Sequence, residues 1–172
     1  MKILIAYAGK NGTTADCVRR LEEHLGDHEV TVADLSVTSP DPTVYDVCVV
    51  GASVRFGRLQ KAARVFLKKE REALMSGRLA LFFVCGLAHE IEYYQDVLFD
   101  RELRRAAFAL IYFGGSLRTD GLPFWDRMLV KSLRSAIVES DIEDGEFTPT
   151  MPGILPENIE KLAGEIKRIA SF

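Results

Sequence analysis

Two glycine-containing loops carry residue types that suit a phosphorylated cofactor. The first, residues 8–14 (Ala-Gly-Lys-Asn-Gly-Thr-Thr), follows a short apolar run and opens an amphipathic helical pattern. A helix start presents unpaired backbone N–H groups and the positive end of the helix dipole, and both favour a phosphate. The second, residues 51–57 (Gly-Ala-Ser-Val-Arg-Phe-Gly), follows another apolar run. Together the two loops predict a bound phosphorylated cofactor.

The first loop does not match three common nucleotide-binding patterns. A Walker loop requires G-x-x-x-x-G-K-[ST], and a dinucleotide-binding turn requires G-x-G-x-x-G, whereas only Gly9 and Gly12 are present here. A receiver domain would place metal-binding acidic residues where this chain has Ala8 and Gly9. The remaining interpretation is a nest of backbone amides supplemented by the hydroxyls of Thr13 and Thr14.

The elements that must position these loops form an alternating series. Five strand-like runs alternate with four helical patterns, which predicts βαβ units and an open parallel sheet covered by helices on both faces. The second run alternates polar and apolar residues near its start, as a half-exposed edge strand does. We therefore predict a three-layer α/β/α domain with a five-stranded parallel sheet in order 2-1-3-4-5. The runs are Ile3–Tyr7, Glu29–Leu35, Tyr45–Val50, Leu79–Val84 and Phe108–Phe113.

The helical patterns have recognisable limits. A capping box, Thr13-x-x-Asp16, is expected to start the first helix and Gly26 to stop it. The second pattern runs from Leu59 to Leu74, and the third spans roughly residues 90–105. The last begins at Pro156, since proline is favoured in the first helical turn.

Four of the five runs end at glycine, at Gly9, Gly51, Gly86 and the pair 114–115. Ligands of open α/β sheets bind outside the carboxyl ends of the strands, near the switch point of the topology. One such glycine would indicate only a tight turn. Four at one edge of the sheet favour a ligand site there.

Bulk properties limit the classes of function. The chain has 172 residues and a formal charge of −3, which predicts a single domain over residues 1–172 and does not favour nucleic acid as a partner. Its three cysteines, Cys17, Cys48 and Cys85, form neither a disulfide framework nor a metal motif. The N-terminus has no signal-peptide pattern, so a cytoplasmic location is expected. No metal site is predicted.

The chain resembles flavodoxins, and within them most closely the flavodoxin-like, quinone-linked protoporphyrinogen oxidases of bacteria. The resemblance rests on residues 51–57 followed by 62–69, on 115–118 followed by 124–128, and on the Gly12-x-Thr14 that opens the first helix. It implies FMN as cofactor, with the phosphate on residues 10–14 and the ring between the loops after the third and fourth strands. The implied cofactor-binding residues are Lys10, Asn11, Gly12, Thr13 and Thr14, then Ala52, Ser53, Val54, Arg55, Phe56 and Gly57, and finally Cys85, Gly86, Leu87 and Ala88.

The resemblance also implies an activity, for which alternatives stay open. The leading expectation is an FMN-dependent oxidoreductase that dehydrogenates protoporphyrinogen with a quinone as acceptor; no catalytic residue is assigned. A simple flavodoxin electron carrier is one alternative. The other is an FMN-free interaction module, because Ala8 and Gly9 stand where flavodoxins usually carry hydroxyls. Phe56 is interpreted equally well as a ring contact or as a core residue.

An insertion at residues 115–146 interrupts the alternation, and a segment this long in a compact domain is usually functional. It contains a helical pattern over 123–138 with an apolar stripe and a basic flank. We favour packing of this stripe on the parent domain. The alternative is peripheral membrane contact through residues 122–138, by which the protein would reach a quinone. A redox partner protein or a quinone is therefore the expected partner.

Overall fold

The structure, a computed structural model, describes residues 1–86, 91–115 and 153–170. The elements in these ranges alternate between strand and helix along most of the chain. In order they are β1 (Lys2–Ala8), α1 (Thr13–His24), β2 (Glu29–Asp34), a 3-10 turn (Pro42–Val44), β3 (Val47–Arg55), β4 (Arg58–Leu59), α2 (Lys61–Lys69), α3 (Arg71–Ser76), β5 (Arg78–Val84), α4 (Ile91–Leu98), α5 (Arg101–Ala106), β6 (Ala107–Tyr112), β7 (Gly114–Gly115), β8 (Gly153–Ile154) and α6 (Pro156–Ala170).

The five long strands form a parallel sheet in the order β2-β1-β3-β5-β6. This order confirms the prediction made from the five apolar runs. Strand β1 lies between β2 and β3, with Ile5 paired to Val32 on one side and to Val49 on the other. Since the chain leaves β1 for β2 and later returns beside β1 as β3, the switch point lies between β1 and β3.

Helices cover both faces of the sheet, and alternate residues of each strand face opposite cores. Ile3 and Ile5 pack with the apolar sides of α1 and α6. Leu4 and Ala6 pack on the other side with α2, α3 and α5. The buried side chains that these helices contribute include Cys17, Val18, Leu21, Ile159, Leu162 and Ile166 on the first face, and Ala63, Phe66, Leu67, Leu74 and Leu103 on the second. This arrangement explains why the central strands are continuously apolar.

The predicted start of the first helix is wrong in detail. The N-cap of α1 is Gly12, in the left-handed conformation with φ 76°, and no side chain caps it. Thr13 lies inside the helix, and the amide of Asp16 donates to the Gly12 carbonyl. A glycine at this position lets the chain turn sharply into the helix, which moves the boundary away from the expected capping box.

Two helices predicted as continuous are each divided. The second pattern becomes α2 and α3, separated at Glu70, whose ψ of 16° departs from helical values. The third becomes α4 and α5, because the Asp100 carboxylate accepts from the amides of Glu102 and Leu103 and caps a new helix. Arg71 of α3 pairs with Asp100 at 2.5 Å, so the two breaks face each other.

Two short antiparallel ladders complete the fold. Strand β4 pairs with the end of β3, and β7 pairs with β8 through Gly114–Ile154 and Gly115–Gly153. The second ladder joins the two chain segments that flank the predicted insertion. Gly115 belongs to this ladder, and the rest of the insertion, including the predicted helix at 123–138, lies outside the described residues. No helix in the described ranges is long and apolar enough to cross a membrane.

Candidate cofactor site

The loop between β1 and α1 has the shape expected of an anion-binding turn. The left-handed Gly12 starts α1, whose first turn has no side-chain cap. Thr13 and Thr14 are only 5% and 2% exposed. The Thr14 hydroxyl has no hydrogen-bond partner among the described residues. An unpartnered hydroxyl at an uncapped helix start suits a phosphate that would accept a hydrogen bond from it.

Gly9 is required by the same loop. A Cβ added at this residue would lie 2.7 Å from both Cβ and Oγ1 of Thr14. The backbone of the loop therefore passes directly over the threonine. Any larger residue would displace Thr14 or the loop, so the hydroxyl-free sequence at positions 8 and 9 is explained by packing: Ala8 is a buried strand residue and Gly9 makes room.

The end of β3 projects as a tight hairpin. Arg55 pairs with Arg58, and the two central residues, Phe56 and Gly57, have φ of 50° and 69°. Positive φ at both positions is the geometry of a type I′ turn, which favours glycine or asparagine. Phe56 adopts it at a cost and is 70% exposed, which excludes its interpretation as a core residue. The Arg55 guanidinium carbon lies 5.2 Å from the centre of the Phe56 ring, so the two side chains form a cation–π pair.

Hydrogen bonds to β6 and β7 hold the segment that follows β5. The Cys85 amide donates to the Gly114 carbonyl at 2.8 Å, and the Tyr112 hydroxyl donates to the Cys85 carbonyl at 2.6 Å. Burial raises the pKa of Tyr112, so the phenol keeps its proton and remains a donor. Of the predicted residues in this loop, Cys85 and Gly86 are described, whereas Leu87 and Ala88 lie outside the described residues.

The sheet register brings the three loops to one edge. Ala8 of β1 pairs with Ala52 of β3, and Ser53 of β3 pairs with Val84 of β5. The loops that follow these strands therefore lie side by side across the β1/β3 switch point. The register thus brings residues 10–14, 53–57 and 85–86 to one edge of the sheet, the region called the crevice below, and Ala52 is a buried strand residue there.

Gly51 does not have the role expected from its position. It lies within β3 rather than in a loop, and an added Cβ would lie 2.4 Å from the Phe82 ring. Phe82 in turn stacks on Phe113 with ring centres 4.7 Å apart. Gly51 therefore makes room for an aromatic pair in the core and does not approach a ligand.

The two buried cysteines, Cys17 and Cys48, are not suited to react as thiolates. Burial raises the pKa of Cys17 and that of Cys48 to about 12, so both stay protonated at neutral pH. Cys85 is half-buried at the crevice. Within the described part of the chain, no three His, Cys, Asp or Glu side chains are placed to hold a metal ion.

Tyr112 and Gly115 support the crevice but were not predicted as site residues. Tyr112 ends an apolar strand, and nothing in its sequence neighbourhood signals that its hydroxyl reaches the Cys85 carbonyl. Gly115 offered a weak signal, since a glycine pair follows the last strand-like run.

Comparison with known proteins agrees with this geometry. A sequence model of the flavodoxin domain family matches residues 4–141, which is most of the chain. The chain belongs to the flavodoxin domain family. The flavodoxin of Fusobacterium nucleatum bound to flavin mononucleotide superposes with a TM-score of 0.55 at 14% identity, over 97% of each chain. A flavodoxin from the domain Archaea gives 0.51 at 18% identity, over 81% of this chain and 98% of that one.

Curated relatives of this flavodoxin-family chain include an enzyme. Protoporphyrinogen IX dehydrogenase (quinone) of Escherichia coli strain K12 is 26% identical over 181 residues, which cover 99% of this chain and 95% of that protein. The sequence of the same enzyme from strain O157:H7 matches equally. The similarity extends over both chains almost completely.

The residues present at the crevice fit a flavin mononucleotide. The uncapped turn of α1 with the buried Thr14 hydroxyl would hold the phosphate. The exposed Phe56 ring and the Cys85–Gly86 segment would flank the flavin ring. A flat ligand would also cover the ring of Phe56, which is 70% exposed at the tip of the hairpin.

Proposed function

We propose that this chain binds FMN at the crevice and acts as an oxidoreductase. The observation that carries the proposal is the shape of the β1–α1 loop, where Gly9 closes over a buried Thr14 at an uncapped helix start. The family match and the FMN-bound structural neighbour support the same cofactor. When bound, FMN accepts and releases electrons singly or in pairs.

The residues of the chain would bind and orient this cofactor. Lys10 adds positive charge beside the phosphate turn, and the Arg55–Phe56 pair borders the ring position on a hairpin that is anchored in the sheet. Arg55 would favour a negatively charged reduced ring through its positive charge. The backbone at Cys85, held by Tyr112 and Gly114, would form the opposite border.

We further propose that the reaction is dehydrogenation of protoporphyrinogen with a quinone as acceptor. The support is the resemblance over nearly the full length to the quinone-linked enzyme of E. coli. A redox partner protein or a quinone is the proposed partner, with peripheral contact at a membrane through residues 122–138 as the proposed route to a quinone. Electron carriage alone and an FMN-free interaction role are the outcomes that the following experiment must separate.

Gly12 offers a matched pair of variants for testing the cofactor. An added Cβ there meets no atom within 4 Å, and asparagine and aspartate both tolerate its left-handed backbone. Gly12→Asp should abolish FMN retention because its carboxylate repels the phosphate, whereas the isosteric Gly12→Asn should retain FMN. Flavin absorption of the purified proteins measures the difference. Equal FMN content in the two variants would contradict the phosphate placement.

The reaction is tested with wild-type protein under anaerobic conditions. Protoporphyrinogen and a soluble quinone are supplied, and porphyrin fluorescence and quinone reduction are followed with and without protein. We expect product to form in proportion to bound FMN and to be absent with Gly12→Asp. A protein that holds FMN without forming porphyrin would be an electron carrier, and one without FMN would be an interaction module.

A further inference from the structure

A second cavity lies on the other side of the phosphate loop from the crevice. It has a volume of about 470 Å³ and is bounded by the end of β1, the segment after β2 and one side of α2. Because β2 and β5 lie on opposite sides of the β1–β3 pair, this cavity is separated from the position between the hairpin and the Cys85 segment. Among the residues that the structure describes, the two sites share only the loop at Ala8–Lys10.

The cavity has an apolar wall that is open to solvent. Leu35 lines one side, and Ala62, Val65 and Phe66 line the other along α2. Val65 is 54% exposed although it belongs to the same helix as the buried Phe66. An apolar side chain that faces a cavity at this exposure provides apolar area that a ligand can cover.

The charges around this wall have one sign. Lys10, Lys61 and Lys69 line the cavity, and none of its described lining residues is Asp or Glu. Lys69 is paired with Glu70 at 2.7 Å. Lys10 and Lys61 have no hydrogen-bond or ion-pair partner among the residues that the structure describes. Two ammonium groups without partners beside an apolar wall complement a ligand that is apolar at one end and anionic at the other.

Two of the three hydroxyl groups near the rim already donate hydrogen bonds to the protein. The Ser36 hydroxyl donates to the Asp34 carboxylate, and the Thr38 hydroxyl donates to the Asp34 carbonyl at 3.2 Å. Ser39 accepts from Lys69 at 3.4 Å. The segment after β2 is therefore fixed by its own hydrogen bonds, and the Ser39 hydroxyl and the two lysines are left to recognise an anion.

We propose that this cavity binds a small organic acid with a flat apolar body, its carboxylate lying between Lys10 and Lys61 and its body on Val65 and Phe66. The site borders the FMN crevice at Lys10, whose ammonium group would lie between the FMN phosphate and this carboxylate, and it does not depend on the substrate of the proposed function.

The probe is 2-naphthoate, with 2-naphthamide as a neutral molecule of the same shape. Calorimetric titration uses the full chain in the presence of saturating FMN, so that the phosphate turn is not available to the probe. We expect one naphthoate per chain and binding of the amide weaker by about fivefold or more, because the amide cannot use the lysines. Equal affinity for the two compounds, or no naphthoate binding in the presence of FMN, would overturn the proposal.

Matched variants locate the site. Val65→Glu should weaken naphthoate binding about tenfold or more, because it replaces the apolar wall with a like charge. Val44→Glu is the control, since Val44 is 60% exposed and lies outside the cavity. Lys61→Gln should weaken binding, whereas Lys161→Gln on α6 should not. Equal effects at positions 65 and 44 would contradict the proposed location.

FMN content of each sample is measured in the same experiment. A protein that binds FMN but does not bind naphthoate would refute this site and would leave the proposed function unaffected. Failure to bind FMN would instead contradict the proposed function, and the Val65 and Val44 pair would still decide whether naphthoate occupies this cavity.

Discussion

Gly115 lies directly against the backbone of Cys85: a Cβ added at Gly115 would be 2.7 Å from the Cys85 carbonyl carbon and 2.9 Å from its oxygen. Backbone atoms cannot move aside as the end of a flexible side chain can. The ladder that closes the insertion and the segment that borders the crevice are therefore packed as one unit.

We predict that Gly115→Ala lowers the free energy of unfolding by about 1–3 kcal/mol, because the new methyl group forces backbone apart. It should also weaken FMN binding by displacing Cys85 and Gly86. Gly164→Ala is the control, since its position on α6 is open and alanine there should stabilise by about 0.5–1 kcal/mol. Urea unfolding and flavin titration measure both effects; a fully stable Gly115→Ala protein would show that the contact is relaxed in solution.

The Thr14 hydroxyl gives a second prediction. Thr14→Val keeps the shape of the side chain and removes one donor to a charged phosphate, a hydrogen bond worth about 1.5–3 kcal/mol. We therefore expect the dissociation constant of FMN to rise about tenfold to a hundredfold. Thr31→Val, at an exposed position of β2, should leave it unchanged. Quenching of FMN fluorescence on binding measures both values, and identical constants would exclude Thr14 as a phosphate ligand.

Phe56 should show opposite effects on stability and on cofactor binding. Phe56→Asn creates an Asn-Gly turn, which suits positive φ at both positions, and should stabilise the fold by about 1 kcal/mol. The same variant loses the ring and should bind FMN more weakly. Phe56→Tyr keeps the ring and serves as the control. Thermal unfolding and flavin titration provide the two readouts, and unweakened FMN binding by the asparagine variant would remove Phe56 from the site.

Asp100 predicts a pH dependence of stability. The hydrogen bond from Arg71 lowers the pKa of this carboxyl group, with the helix amides acting in the same direction. Its contribution is therefore complete above the ordinary Asp pKa of about 3.9 and is lost as the pH falls through the lower folded-state value.

We expect Asp100→Asn, which can still cap α5, to be less stable than wild type at pH 7. The difference should shrink as the pH falls below the ordinary Asp pKa and disappear once the pH lies below the lowered pKa of the wild-type carboxyl group. Asp100→Ala also removes the cap and should cost about 1 kcal/mol more. Urea unfolding at pH 7 and at a series of lower pH values measures these differences. Asp27→Asn, in an exposed loop, controls for the change of net charge. If Asp100→Asn remains less stable than wild type at low pH, the effect is due to packing.

The last prediction concerns the segment between the paired strands β7 and β8. Because Gly115 pairs with Gly153, a short Gly/Ser link can replace residues 116–152 without moving either end. We expect this variant to retain FMN and to lose quinone reduction. Separate measurement of flavin content and quinone reduction tests this. A full-length control with Phe124→Ser and Trp125→Ser should lose turnover in part. Loss of flavin from the variant with the Gly/Ser link would mean that the segment builds the cofactor site. Full activity of that variant would mean that the segment has no role in turnover.

The sheet was predictable because burial of the central strands on both faces leaves a continuous apolar pattern, as in Ile3–Tyr7. The order of strands followed from the alternation and from the polar residues of β2. Strand β4 was not predictable, since two residues carry no pattern and Phe56-Gly57 is not a favoured hairpin sequence. The division of the third helical pattern depends on Asp100, whose capping role is decided by its tertiary partner Arg71.

The crevice was predictable to the extent that it depends on local backbone. Gly9, Gly12 and Thr14 could be singled out because a strand, a glycine turn and a helix follow one another directly. Gly51 was misinterpreted because its neighbour Phe82 is distant in sequence. The contact of Tyr112 with Cys85 is likewise a product of strand pairing and leaves no sequence signal.

The packing of α1 against α6 sets the order in which the molecule can be completed during synthesis. The apolar side of α1, including Cys17 and Leu21, is covered by Ile159, Leu162 and Ile166 of the final helix. Ile3 and Ile5 of β1 cover part of this side early, but the helix that begins at the phosphate turn is fully covered only once α6 has been synthesised. The phosphate turn is therefore supported by a segment that is distant in sequence as well as by the strand that precedes it.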